Sequence, residues 1–312
     1  VNGADAGKFL SYAFISNFEP LKVGKAKYSM ITAEDGGIID DLITYRFEED
    51  KFLVVPNAGN ADTVWDELNN RAEGFDVTLK NESRDVAMIA VQGPKAAEIL
   101  VPLVEDNKQD EVYNLGYYAA TMGKVARTFA IIARTGYTGE DGFELIVYNS
   151  DAPQLWEELL KAGEEYDIKP CGLAARDSLR LEAGMPLYGN ELSRDITPVE
   201  AGMARAFAKK EADFVGAEVI RQRAAEGPQV AITGLTSTQR RAARAGAEVF
   251  VGDKKVGTVT SGQPSPTLGH PVAIALLETS AGLEPGAEVE VEIRGKRYPF
   301  EVTALPFYKR DK

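Results

Sequence analysis

Two adjacent carboxylates, Asp40 and Asp41, sit between Ile38-Ile39 and Leu42-Ile43. Successive side chains of a strand face opposite ways, so these two do not work as a pair. One faces an interior or a ligand and the other solvent, and an inward aspartate is poorly hydrated and needs a partner. A salt-bridged or turn-capping aspartate is the plainer reading of the same residues. A second candidate is Glu144, at the end of Arg134-Thr-Gly-Tyr-Thr-Gly-Glu-Asp-Gly-Phe-Glu144. Gly136, Gly139 and Gly142 permit positive φ and a close backbone approach to something flat. Glu144 alternates with Phe143 and Leu145, so it faces away from them. A glycine-bearing hairpin with a solvated carboxylate would look the same.

Basic residues supply the remaining chemistry. Arg176 and Arg180 lie four apart and share a helix face, which also reads as a salt-bridged amphipathic helix, the preferred reading for Arg180 and Glu182. Arg240, Arg241 and Arg244 form the densest basic cluster, either a solvated run or a site for an anionic ligand or an acidic partner. The single histidine, His270, makes a His-rich metal site or a Ser-His-Asp triad improbable. The single cysteine, Cys171, excludes an internal disulfide and suggests a reducing compartment; it reads as packing. A net charge of −13 argues against broad nucleic-acid or anionic-membrane binding. No run reaches the roughly 18–20 apolar residues of a membrane-spanning helix.

The elements that must position these groups follow from periodicity and punctuation. The 312 residues, 44% hydrophobic and 27% charged, are enough for two or three domains. Helices are expected over 5–17, 62–72, from 95, over 153–161 behind a Ser150-Asp151 cap, over 173–183 ending at Gly184, and over 214–223. The 173–183 helix has Leu173, Leu179 and Leu181 among its apolar positions. Residues 25–31 lead into the turn Glu34-Asp35-Gly36-Gly37, and strands are expected over 38–47, 51–56, 86–91, 117–121, 124–134 and 143–148. Residues 186–202 read as a loop. After Gly227-Pro228, six short strands at turn-punctuated spacing indicate a small barrel or sandwich.

Taken together these motifs resemble the glycine-cleavage T-protein (aminomethyltransferase) family. The matching pieces are Gly36-Gly37-Ile38-Ile39-Asp40-Asp41-Leu42, the 134–144 stretch, Gln92-Gly93-Pro94, Leu187-Tyr188-Gly189-Asn190, Thr260-Ser261-Gly262 and Pro306-Phe307-Tyr308. The folate-dependent iron–sulfur-maintenance relatives carry a Lys-Gly-Cys-Tyr-x-Gly-Gln-Glu motif that the 184–190 loop lacks. The resemblance implies an α+β, three-domain folate-binding aminomethyltransferase fold with a C-terminal β-barrel. Its first domain is discontinuous (1–45 and 135–226), its second is inserted (46–134), and its barrel spans 227–312. Relative to the family an N-terminal segment is expected to be missing, since Val1 opens in what looks like the middle of a domain and no signal or transit peptide is visible.

The implied reaction passes a one-carbon unit from the aminomethyl-lipoyl arm of H-protein to tetrahydrofolate, releasing ammonia and 5,10-methylenetetrahydrofolate. The lipoylated H-protein is the implied partner, tetrahydrofolate the co-substrate, no metal is required, and a cytoplasmic location is expected. By resemblance Asp40 is the catalytic carboxylate, Glu144 grips the pterin ring, and Arg176, Asn57, Tyr28, Arg244 and Tyr308 contact the folate. Two alternatives stay open: another tetrahydrofolate-dependent demethylase of the same fold, decided by the 184–197 loop, and a non-catalytic folate-binding protein.

Overall fold

The computed structural model describes residues 1–310. The chain divides into two compact units, one made of Val1–Ala13, Asn17–Ser29 and Leu42–Gly172, the other of Phe14–Ser16, Met30–Asp41 and the chain from Leu173 onward.

In chain order the first elements are α1 (Ala6–Ala13), β1 (Ala26–Thr32), β2 (Ile38–Glu48), β3 (Lys51–Pro56), α2 (Ala61–Arg71), β4 (Val86–Gln92), α3 (Ala96–Leu100) and α4 (Gln109–Tyr113). They are followed by β5 (Ala120–Val125), β6 (Thr128–Ala133), β7 (Gly142–Tyr148) and α5 (Ala152–Ala162). Strands β1, β2 and β3 form one sheet, with β2 and β3 a hairpin closing at Glu48 and Lys51 as the acidic 48–50 turn suggests. The other sheet has the order β4-β7-β6-β5, so β7 is an inner strand paired on both sides, Glu144 opposing Ala90 and Ala133.

Period-two alternation divides this second sheet cleanly. Phe143, Leu145 and Val147 join Ile89, Val91, Ile132, Leu155 and Leu159 in a core against α3 and α5. Glu144 falls on the opposite face, where Tyr45, Ala120 and Ala133 are buried with Ile43, Phe47 and Val55 around them. The strands read at 117–121 and 124–134 are placed differently: β5 runs on to Val125, and the chain reverses at Ala126 (φ 47°) and Arg127 (φ 70°). A two-residue turn with both central residues left-handed fits strand twist but is ordinarily announced by Asn or Gly, and here neither is present. Asp151 occupies the cap position of α5 without making a side-chain capping bond.

The second unit contains α6 (Leu173–Glu182), α7 (Ala217–Glu226) and strands β8 (Val230–Thr236), β9 (Glu248–Val251), β10 (Lys254–Pro264), β11 (Pro271–Glu278), β12 (Glu288–Ile293) and β13 (Lys296–Thr303). The six strands close into a barrel in the order β10-β11-β8-β13-β12-β9, which resolves the barrel-or-sandwich choice and leaves no open sheet edge. Leu235, Val249, Val259, Ala275, Val291, Phe300 and Val302 fill it. Helix α7 begins three residues later than expected, because Gly216 (φ 82°) breaks the chain before it. Leu173 is 85% exposed whereas Arg180 is 1% exposed, so the buried side of α6 carries a charged residue. No helix among the described residues is long and apolar enough to cross a membrane.

Candidate active site

In the first unit, Glu144 ends a chain of hydroxyls. The Thr135 hydroxyl donates to Glu144 Oε2, and Tyr45 Oη lies 3.0 Å from Thr135 Oγ1. Glu144 is half-buried, and its Oε1 receives no hydrogen bond from the described residues. An amide clamps the backbone on either side: Gln92 Nε2 donates to Thr135 O and Phe143 O, each at 3.1 Å. The spacing of the glycines explains how the amide fits. A Cβ at Gly136 would lie 2.0 Å from Gln92 Oε1, and one at Gly142 would lie 2.6 Å from Gln92 Cδ. The two glycines are therefore vacated for a side chain of the protein itself. Arg134 closes the loop by a bidentate pair with Asp141, Nε to Oδ1 at 3.0 Å and a second nitrogen to Oδ2 at 2.6 Å, over the Phe143 ring. Asn57 follows β3 and Tyr28 lies on β1; both are half-buried.

In the second unit, Asp40 is fully buried and Asp41 half-buried, so the strand turns Asp40 inward. The Gly36-Gly37 pair sets the entry of β2. Gly37 N donates to Asp35 Oδ1 at 3.0 Å, and a Cβ on Gly37 would meet Arg194 O at 2.1 Å. Ile38 N then reaches Ser193 O (3.2 Å) and Ile196 O (3.0 Å), tying the strand to the 184–197 loop. From the same loop Tyr188 donates its hydroxyl to Ile38 O at 3.1 Å. Burial raises the Tyr188 phenol pKa, the negative charge of Asp40 raises it further, and Arg194 opposes both. Tyr188 is thus a protonated phenol in electrostatic contact with the buried carboxylate.

Arg180 holds that loop. Its guanidinium reaches Asp177 Oδ1 (2.8 Å), Glu191 Oε2 (2.8 Å), Met185 O (3.2 Å) and Ser261 Oγ (2.7 Å). Glu191 in turn accepts from Leu187 N at 2.9 Å and from Thr260 Oγ1 at 2.5 Å. Neither the full burial of Arg180 nor the link from Tyr45 to Thr135 has a signature in the spacing. Arg176 is exposed on α6. Tyr308 is half-buried, its backbone N–H bonded to Glu182 O at 2.8 Å. Arg240, Arg241 and Arg244 are all exposed; Arg241 lies over Tyr298 and donates to its hydroxyl, and Arg244 donates to Gly262 O at 3.1 Å. Among the described residues there is no group of three or more His, Cys, Asp and Glu able to hold a metal ion.

Comparison with known proteins identifies the family. The profile of the GCVT N-terminal domain matches residues 1–211, and that of the glycine cleavage T-protein C-terminal barrel domain matches residues 231–309. An aminomethyltransferase of Corynebacterium aurimucosum is 84% identical over 312 residues, covering 100% of this chain and 84% of the relative. An aminomethyltransferase of Corynebacterium jeikeium is 52% identical, covering 100% and 85%. The crystal structure of glycine cleavage system aminomethyltransferase T from Bartonella henselae superposes with a TM-score of 0.88 at 37% identity, over 99% of this chain and 82% of that one. With both domain profiles matched over most of its length, the chain belongs to the glycine cleavage T-protein family.

Proposed function

We propose that Asp40 is the carboxylate that serves the transferred carbon, and Glu144 the acceptor for the pterin edge of tetrahydrofolate. The activity itself is that of the family: the chain is an aminomethyltransferase of the glycine cleavage system. The observation that carries the assignment is the full burial of Asp40 beside a half-buried Asp41. A carboxylate shielded from water acts more strongly on a nearby proton or developing positive charge than a solvated one.

The donor set suits a folate. Glu144 Oε1 receives no hydrogen bond from the described residues and offers an anionic acceptor to an amino-pyrimidinone edge. Tetrahydrofolate, when bound, supplies the nucleophilic nitrogens that receive the one-carbon unit. The chain's own groups orient and shield: Glu144 accepts, and Asp40 holds or moves the proton. Arg176 offers a planar fork to the p-aminobenzoyl-glutamate end, and Asn57, Tyr28, Arg244 and Tyr308 complete the contacts. The domain limits 1–45 with 135–226, 46–134 and 227–312, and a cytoplasmic location, are proposed with this reading.

The partner we assign is the lipoylated H-protein. Supporting it, Arg240, Arg241 and Arg244 are exposed and paired with no acid among the described residues, in a chain of net charge −13. Such a patch draws an acidic carrier that the rest of the surface repels. The test is turnover of aminomethylated carrier protein with and without tetrahydrofolate. Folate-dependent release of ammonia is expected; folate binding with turnover only of a methyl-sulfonium or methoxy donor, or with none, overturns the reading.

A further inference from the structure

We infer that Tyr45 and Thr135 are positioning residues for folate binding, acting as a one-way hydrogen-bond chain that aims the Glu144 carboxylate. The inference rests on the reading of Glu144 as the pterin acceptor.

The direction of the chain follows from proton accounting. An ionised carboxylate only accepts, so the Thr135 hydroxyl spends its single proton on Glu144 Oε2. Thr135 Oγ1 is then left as an acceptor, and Tyr45 must be the donor across their 3.0 Å contact. The phenol keeps that proton: burial raises its pKa, the charge of Glu144 raises it further, and the bond to Thr135 only partly opposes them. Both hydroxyl-bearing residues are buried, Tyr45 at 0% and Thr135 at 3% exposure. Tyr45 also stacks on Phe47 with ring centroids 6.2 Å apart.

The chain therefore starts in a buried core and ends on one oxygen of a half-buried carboxylate. Consecutive hydrogen bonds polarise one another, so each strengthens the next. Engaging Oε2 fixes the last torsion of Glu144 and leaves Oε1 as the outward acceptor. Gln92 fixes the backbone at Thr135 and Phe143, so donor and acceptor cannot drift apart. A glutamate on a strand otherwise samples several rotamers, and ordering it beforehand removes that cost from ligand binding.

The experiment is titration of tetrahydrofolate into the full chain, following Kd directly, with steady-state kinetics alongside. Thr135→Val is expected to raise Kd about tenfold, with the loss falling on KM for folate more than on kcat. Thr135→Ser, which keeps the hydroxyl, is expected to stay within about twofold of the wild type, and Tyr45→Phe to lose about threefold. In a Glu144→Ala background, Thr135→Val is expected to add nothing, because its target is gone. Should Thr135→Val fold poorly, Tyr45→Phe/Thr135→Val removes both buried hydroxyls and takes its place. An equal loss from Thr135→Val with and without Glu144, or no loss where Glu144→Ala has a large one, overturns the positioning role. An unchanged Kd in Glu144→Ala itself overturns the reading of Glu144, and the inference falls with it.

Discussion

Arg180 and Glu191 meet at 2.8 Å with side chains 1% and 0% exposed, an ion pair sealed inside the second unit between α6 and the loop that carries Tyr188. Breaking such a pair from one side leaves the other charge buried without compensation. Arg180→Met is expected to lower stability by about 3–5 kcal/mol, and Arg180→Met/Glu191→Leu to recover much of that loss. Denaturant midpoints read this directly; a single-variant loss below about 1 kcal/mol contradicts it.

The opposite orientations of neighbouring aspartates give a sharper test of chemistry. Asp40→Asn is expected to lower turnover by roughly 10²–10⁴-fold with little loss of folate affinity. Asp41→Asn, on the half-buried side of the strand, is expected to be mild. The reverse order in kcat would exchange their roles.

Charge reversal on the barrel tests the partner. Arg240→Glu/Arg241→Glu is expected to raise KM for the carrier protein about tenfold or more at low salt, and KM for monoglutamyl folate far less. If both constants hold, the patch is a solvated face.

A smaller defect lies on β2. The Thr44 hydroxyl is buried with no hydrogen-bond partner among the described residues, so it carries an unreturned desolvation cost. Thr44→Val keeps the shape and is expected to stabilise the chain by about 1 kcal/mol, seen as a rise in Tm with unchanged kinetics. A fall in Tm would mean the hydroxyl is paired in solution.

Local rules reached much of this architecture unaided. Alternating apolar residues placed the β2–β3 hairpin and put Glu144 opposite Phe143 and Leu145. Glycine and proline punctuation separated the six barrel strands. The motif residues, taken as a set, resembled the glycine-cleavage T-protein family, to which the domain profiles assign the chain. All of these depend on neighbours in the chain, and neighbours are what a sequence displays. Tertiary structure decided the rest. Which of Asp40 and Asp41 is buried depends on what packs over each face of the strand. Ala126 and Arg127 take left-handed angles because paired strands demand the turn, against their own preference. Gly136 and Gly142, which read as room for a ligand, make room for Gln92, some 44 and 50 residues earlier in the chain. Arg180 reads as a salt-bridged residue of an amphipathic helix, and its salt bridges are there, but only the meeting of Glu191, Asp177 and Ser261 around it permits its full burial. Tyr45 and Thr135, 90 residues apart, touch only because β2 lies near the end of β6.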